Sequence, residues 1–206
     1  NSGGRIARRI GLISPSRLGL PFTPHGGIHH GVVKVSDDDA PTLASKSQYR
    51  AFFGRDASGT RFAPYDEITP QNVKNLKVAW TYHTGRRLTG AGIGVDENTP
   101  LQIGDTLYSC TPLNVVTALD ADTGKARWRF DPHAGTAEHV TCRGVSYHEA
   151  KADNAPADVV ANCPRRIILP VNDGRLFAIN ADNGQLCESF ANKGILNLQT
   201  NMPVTT

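Results

Sequence analysis

Residues 118–128 have the sequence Ala-Leu-Asp-Ala-Asp-Thr-Gly-Lys-Ala-Arg-Trp, and this stretch decides the fold. It joins two short runs that are rich in apolar and β-branched residues, 115–120 and 126–130, through the turn signal Asp122-Thr123-Gly124. Short runs of this kind, separated by a cluster of turn-forming residues, are typical of two strands in a hairpin. The stretch therefore predicts strand, tight turn and strand.

The same pattern occurs a second time along the chain. Residues 104–132 align with residues 164–192 without a gap. The identical pairs in the turn region are Ala118 and Ala178, Ala121 and Ala181, Asp122 and Asp182, Gly124 and Gly184, and Phe130 and Phe190. A repeat unit of this size cannot bury its apolar face alone, so neighbouring copies are expected to stack against each other.

The sequence before residue 115 also has short strand-like runs separated by turn residues. Further strands are expected over residues 76–82 and 105–110, and a short helix over 70–76 with Thr69 as N-cap. No window has the 3.6-residue periodicity of a long amphipathic helix. The sequence therefore predicts an all-β fold built from antiparallel meanders.

Composition sets limits on the function. The chain has 206 residues and a formal net charge of +3, with no long basic run, so nucleic-acid binding has no compositional support. No stretch approaches the ~18 apolar residues of a membrane-spanning helix. Residues 1–47 are rich in Gly, Pro, Ser and His without periodicity, which predicts an irregular tail before a folded region over 48–206.

The four cysteines, Cys110, Cys142, Cys163 and Cys187, form no Cys-x-x-Cys pair, which argues against a zinc site. Two interpretations remain open from the sequence. Either all four are buried thiols, or an oxidising compartment allows one disulfide, for which the best guess is Cys142 with Cys163.

The stretch 118–128 resembles the Ala-x-Asp-x-x-Thr-Gly-x-x-x-Trp repeat of quinoprotein β-propellers. In such a blade Gly124 supplies the positive φ of the turn, and the Asp120 side chain accepts hydrogen bonds from nearby backbone donors. Trp128 is expected to pack against the neighbouring blade over a small alanine. The second copy has Asn180, Asn183 and Glu188 at the Asp, Thr and Trp positions, so docking through it is expected to be weaker.

Residues 53–64 and 98–100 resemble the opening blade of the quinoprotein dehydrogenases. Residues 139–147 and 163–169 resemble one branch of them, the membrane-bound glucose dehydrogenases and their quinate-oxidising relatives. Alcohol-oxidising relatives have a disulfide between adjacent cysteines, and this sequence has no adjacent cysteines. The resemblance spans roughly residues 50–203, leaves out residues 1–47, and implies the first blades of an eight-bladed propeller, completed by blades outside these 206 residues.

The resemblance also implies a cofactor, pyrroloquinoline quinone (PQQ), and residues that bind it. His139 would stack on one face of its ring, Arg143 would bind a carboxylate or quinone oxygen, and Glu97 would line the site. The catalytic aspartate and the ligands of a calcium or magnesium ion have no counterpart in these residues, so no catalytic residue is assigned.

The activity implied is oxidation of an aldose to its lactone at the periplasmic face of the bacterial inner membrane, with electrons passed to ubiquinone. Two alternatives stay open from the sequence. One is a quinate or other polyol dehydrogenase of the same branch. The other is a noncatalytic propeller scaffold of the outer-membrane assembly type, which needs the docking motif but not Glu97, His139 or Arg143.

We expect residues 1–206 on their own to be inactive and prone to aggregate, because a partial propeller leaves open sheet edges and lacks the rest of the site. The measurement is glucose oxidation by the purified segment with PQQ and calcium. Measurable turnover would contradict this expectation.

Overall fold

The computed structural model describes residues 11–13, 29–34, 68–85, 93–135 and 139–200, with 11–13, 29–34, 93–94 and 139 described by their backbone alone. The strands are β1 (Gly11–Ile13), β2 (His29–Lys34), β3 (Lys77–His83), β4 (Ile93–Asp96), β5 (Leu101–Ile103), β6 (Thr106–Cys110), β7 (Val116–Asp120), β8 (Ala126–Phe130), β9 (His139–Cys142), β10 (Ser146–Glu149), β11 (Arg165–Pro170), β12 (Arg175–Asn180) and β13 (Ile195–Asn197). The helices of this part of the chain are a 3-10 turn at Val73–Asn75 and α1 (Ala157–Asn162).

The strands form two four-stranded antiparallel sheets, here called blade I (β5-β6-β7-β8) and blade II (β10-β11-β12-β13). In each sheet the strands follow one another in chain order, so the predicted meander is confirmed. A three-stranded sheet, β1-β2-β3, precedes them, and β4 pairs with β9 in a separate parallel pair. The sequence expectations for β3, β6, β7 and β8 agree with the structure to within about one residue at each end.

Strands β1 and β2 lie within residues 1–47, where an irregular tail was expected. The backbone of β2 pairs with β3 from Lys34 opposite Lys77 to His29 opposite His83, with a register shift between Val32 and Val33. Pairing with a distant strand is a tertiary effect that local periodicity does not reveal. The other residues of 1–47 and the proposed boundary at residue 48 lie outside the described residues, so the domain division stays a prediction.

The expected helix over residues 70–76 is shorter in the structure, where only Val73–Asn75 are helical. Its N-cap is Asn72 and not Thr69 as expected, and Thr69 instead closes the turn before the helix. The Asn72 backbone N–H donates to Thr69 Oγ1 at 3.3 Å, and the Thr69 N–H donates to Asn72 Oδ1 at 2.7 Å. This reciprocal pairing has the logic of a capping box.

Tryptophan docks the β1-β2-β3 sheet onto blade I, and blade I onto blade II. The indole N–H of Trp80 in β3 donates to the Ala121 carbonyl of blade I at 3.2 Å, and that of Trp128 donates to the Ala181 carbonyl of blade II at 2.9 Å. The Tyr108 hydroxyl donates to the same Ala181 carbonyl at 3.0 Å. The predicted role of tryptophan between blades is confirmed.

Glycine makes room for each indole. Gly124 and Gly184 have φ of +71° and +76°, as the turn requires. A Cβ on Gly184 would lie 2.8 Å from the Trp128 ring, and a Cβ on Gly124 would overlap the Trp80 ring. Each glycine therefore serves both the turn conformation and the close approach of the next indole.

Between the blades lies a shared apolar core. Residues of blade I such as Val116 pack together with residues of blade II such as Ile167 and Phe177, and all three are buried. The rings of Phe130 and Phe177 meet edge to face across the interface, with centroids 5.5 Å apart. Such pairs add to the apolar burial that holds the blades together.

Blade II departs from the expected copy at its outer edge. The alignment predicts a strand over about 186–190, but only Leu186 makes a bridge there, and β13 at Ile195–Asn197 supplies the outer strand. The chain leaves the sheet after Cys187 and turns back through Ala191 and Lys193, whose φ values are +45° and +49°. Glu188, at the tryptophan position, therefore lies in a loop.

The turn between β7 and β8 is organised by Asp120. Its Oδ1 accepts hydrogen bonds from the backbone N–H groups of Asp122 and Thr123, at 3.1 and 2.9 Å, and from the Thr123 hydroxyl at 2.8 Å. Its Oδ2 lies 2.7 Å from Arg127 Nη2, and the same guanidinium binds Asp105. The Arg127 guanidinium, together with the Thr123 donors, lowers the pKa of the Asp120 carboxyl from 3.8 to about 2.

Replacing Gly184 with alanine should destabilise the protein more than replacing Gly104. Both glycines have positive φ, so each alanine costs roughly 1–2 kcal/mol in backbone strain. A Cβ at Gly104 meets no atom within 4 Å, whereas one at Gly184 meets the Trp128 ring, which adds about 1–3 kcal/mol of overpacking. Urea unfolding of both variants measures the difference, and equal losses would show that the indole does not depend on this glycine.

The Asp120→Asn variant should lose about 1 kcal/mol of stability at neutral pH. Since the folded pKa of Asp120 is lowered, its contribution is present above pH 4 and is lost as the pH falls from about 4 to about 2. The gap in free energy of unfolding between the native protein and this variant should therefore close over that range. A gap that is constant from pH 7 to pH 2 would contradict the ion pair.

Candidate functional site

Two predicted site residues lie just beyond the ends of a parallel strand pair. Strands β4 and β9 pair in the register Ile93 opposite His139 through Asp96 opposite Cys142. Because parallel strands end at the same edge, the residues that follow them, Glu97 and Arg143, emerge side by side. Their sequence separation of 46 positions gave no indication of this contact.

The side chains of these two residues form an ion pair, with Arg143 Nη2 3.2 Å from Glu97 Oε2. The Arg143 side chain is 80% exposed and that of Glu97 is 42% exposed. An ion pair this exposed contributes little to stability, so most of the guanidinium surface is open to solvent or to a ligand. The structure thus brings together two of the three predicted site residues.

The third, His139, is the first residue of β9, and its backbone pairs with Ile93. Only its backbone belongs to the described part of the molecule. The stacking role predicted for its imidazole therefore stays a prediction. Strand β9 begins at His139, and Arg143 directly follows its last residue, Cys142.

The disulfide guess was wrong. The structure has two disulfides, Cys110 with Cys142 and Cys163 with Cys187, and neither is the expected pair of Cys142 with Cys163. The Cα atoms of the pairs are 6.1 and 5.6 Å apart, within the range that a disulfide spans. The fold, not proximity along the chain, selects the partners, since the end of β6 lies against the end of β9.

The backbone between these strand ends is tied together by several hydrogen bonds. The Thr99 N–H donates to the Arg143 carbonyl at 3.2 Å, and the Thr141 hydroxyl donates to the Val95 carbonyl at 2.9 Å. Asn98, next to Glu97, donates through Nδ2 to Ser109 Oγ in β6 at 2.9 Å. Sequence reasoning identified Asn98 only as part of a family segment and did not single out Ser109.

A cleft of about 280 Å³ lies elsewhere, between the two blades. Charged side chains line it, including Arg127, Arg165 and Asp182, and the latter two form an ion pair at 2.6 Å. It opens at the Thr106 end of β6, whereas the Glu97–Arg143 pair lies near the Cys110 end. Of the site residues whose side chains the structure describes, neither Glu97 nor Arg143 lines this cleft.

The family model for the PQQ β-propeller domain of glucose, ethanol and alcohol dehydrogenases matches residues 50–206. The chain belongs to this family. The match agrees with the two antiparallel blades and with the docking tryptophans. The predicted fold class, a partial quinoprotein propeller, is thereby confirmed.

Individual relatives of the PQQ dehydrogenase family agree with this assignment. The quinoprotein glucose dehydrogenase of Escherichia coli (strain K12) is 48% identical over 99% of this chain and 25% of its own length. The quinate/shikimate dehydrogenase (quinone) of Acinetobacter baylyi is 37% identical over 87% of this chain and 24% of its own length. The chain therefore spans about a quarter of the length of the curated relatives it matches.

The fold is also that of a solved structure. The quinohemoprotein alcohol dehydrogenase from Comamonas testosteroni superposes with a TM-score of 0.55 at 22% identity, covering 78% of this chain and 21% of that one. At this identity the similarity concerns the fold alone.

The match to the Escherichia coli glucose dehydrogenase corrects one expectation. It covers 99% of this chain and so includes residues 1–47, which were expected to fall outside the resemblance.

The described residues fit a ligand that carries carboxylates. A guanidinium that is 80% exposed presents planar donors that match a carboxylate, and the Glu97 carboxylate beside it can hold its orientation. No group of three or more His, Cys, Asp or Glu side chains among these residues could hold a metal ion. None of the helices in the described ranges has the length and apolarity needed to cross a membrane.

Proposed function

We propose that this chain is part of a PQQ-dependent dehydrogenase that oxidises an aldose to its lactone, and that it contributes one wall of the cofactor site. The observation that carries the proposal is the exposed pair of Glu97 and Arg143 at the shared edge of β4 and β9. The family to which the chain belongs supplies the cofactor class.

Each residue has a distinct task in this proposal. When bound, PQQ supplies an ortho-quinone that accepts two electrons from the sugar. Arg143 would bind a cofactor carboxylate or quinone oxygen through its fork of donors, and Glu97 would orient that fork. His139, which starts β9, would contact a face of the ring system. The base that removes the sugar proton and the ligands of a calcium or magnesium ion would come from other blades of the propeller.

Glucose or another aldose is the preferred substrate class because this chain is more similar in sequence to the glucose dehydrogenase than to the quinate/shikimate dehydrogenase. The glucose dehydrogenase of Escherichia coli is 48% identical to this chain, compared with 37% for the quinate/shikimate dehydrogenase. Ubiquinone as electron acceptor and the periplasmic face of the inner membrane as location belong to the same proposal. They are tested by glucose-dependent reduction of a ubiquinone analogue in a washed membrane fraction.

The Arg143→Ala variant of the native protein should bind PQQ roughly 10- to 100-fold more weakly, since it loses charge-assisted hydrogen bonds worth about 1.5–3 kcal/mol. Arg143→Lys should recover only part of the loss because lysine cannot present a planar fork. The measurement is a PQQ titration followed by quenching of tryptophan fluorescence.

A suitable control is Arg129→Ala. Arg129 lies in β8, the outer strand of blade I. Its side chain is 46% exposed and its Nη2 lies 3.8 Å from Asp131 Oδ2, so the variant removes an equal charge from another exposed ion pair. Its affinity for PQQ should equal that of the native protein. If Arg143→Ala also keeps the native affinity, the wall formed by Glu97 and Arg143 is not part of the cofactor site.

A further inference from the structure

The strand pair that carries Glu97 and Arg143 needs support from outside itself. In the part of the chain that the structure describes, β4 and β9 form a sheet of only two strands. A two-stranded pair is marginally stable in water and does not fix side chains at its edge by its own hydrogen bonds. The ion pair between Glu97 and Arg143 is also too exposed to do so.

The ends of β4 and β9, next to Glu97 and Arg143, are both attached to the end of β6 in blade I. Cys110, the last residue of β6, is bonded to Cys142, which directly precedes Arg143. Ser109, the residue before Cys110, accepts a hydrogen bond at 2.9 Å from Asn98, which directly follows Glu97. Two consecutive residues of β6 thus hold the neighbours of both charged residues.

The anchor point itself is rigid. Cys110 and Cys142 are 0% and 4% exposed and belong to the apolar core shared by the two blades. Val140 of β9 is also buried, in a cluster with Leu113 and Val115. Because a close-packed interior has low compressibility, the end of β6 holds a fixed position. It can therefore fix the positions of the ends of β4 and β9.

We propose that Ser109 and Cys110 are positioning residues for the candidate cofactor site, and that they act by fixing the backbone next to Glu97 and Arg143. This inference rests on the proposed function. The ligand is the tricarboxylate PQQ, which needs its donors preplaced to bind tightly. Neither Ser109 nor Cys110 would touch the ligand itself.

The experiment compares four variants of the native protein by PQQ titration with tryptophan fluorescence. Ser109→Ala removes the hydrogen-bonded attachment, and the double variant Cys110→Ala with Cys142→Ala removes the covalent one. Their matched controls lie in blade II. Ser189→Ala removes a similar serine contact, to Arg166 at 3.1 Å, and Cys163→Ala with Cys187→Ala removes the other disulfide.

We expect the dissociation constant for PQQ to rise about fivefold in Ser109→Ala and at least tenfold in the Cys110/Cys142 variant. Both blade II controls should keep the native value, even where their thermal midpoints fall. A second readout uses the protein without cofactor. Hydrogen exchange of residues 93–99 and 139–144 should become faster in the two site variants and stay unchanged in the controls.

The outcomes separate this inference from the function on which it rests. If the native protein binds PQQ but the two site variants bind it equally tightly, the positioning role is wrong and the proposed function stands. A rise of the same size in the blade II controls overturns the positioning role too. If the native protein does not bind PQQ, the proposed function fails and the inference with it. Should the Cys110/Cys142 variant not fold, the Ser109 and Ser189 pair decides alone.

Discussion

The carbonyl oxygen of Ala181 accepts hydrogen bonds from both Trp128 and Tyr108, at 2.9 and 3.0 Å, and this contact docks blade I onto blade II. Blade II offers this carbonyl at the corner after β12, beside Gly184, whose missing side chain admits the indole. The Tyr108 hydroxyl is buried and would be costly to leave without a partner, so this hydrogen bond favours the observed docking of the two blades. The same contact recurs one blade earlier, between Trp80 and Ala121.

This repeated docking gives blade I a fixed place and a packed interior, and the candidate site is built on its edge. The end of β6 is buried in the shared core and reaches out through a disulfide and a serine hydroxyl to the pair of β4 and β9. Charged residues can then stand exposed at a defined position, which an exposed ion pair alone would not provide. A rigid scaffold that carries an open polar edge is a general arrangement for binding sites.

The docking motif could be predicted from the sequence because its signals are local. Trp128, Gly124 and Asp120 lie within nine positions of each other, and each has a physical task in a turn or at an interface. The outer strand of blade II could not be predicted in the same way. Its repeat identity suggested a strand near residue 188, but the bond between Cys163 and Cys187 and the left-handed residues after it divert the chain.

The site was only partly predictable for a related reason. Glu97 and Arg143 came from family segments, and their contact at 3.2 Å follows from a parallel pairing between strands 46 positions apart. No local pattern encodes such a pairing, and the same is true of the disulfide partners. Ser109 has no distinguishing motif at all, and its relation to Asn98 exists only in the folded chain.

The most direct test of the candidate cofactor site is a structure of the native protein with PQQ bound. In that structure the Arg143 guanidinium should lie within hydrogen-bonding distance of a cofactor oxygen, with Glu97 still beside it and the Cys110–Cys142 bond intact. A cofactor bound elsewhere, with Arg143 left in solvent, would contradict the proposed site.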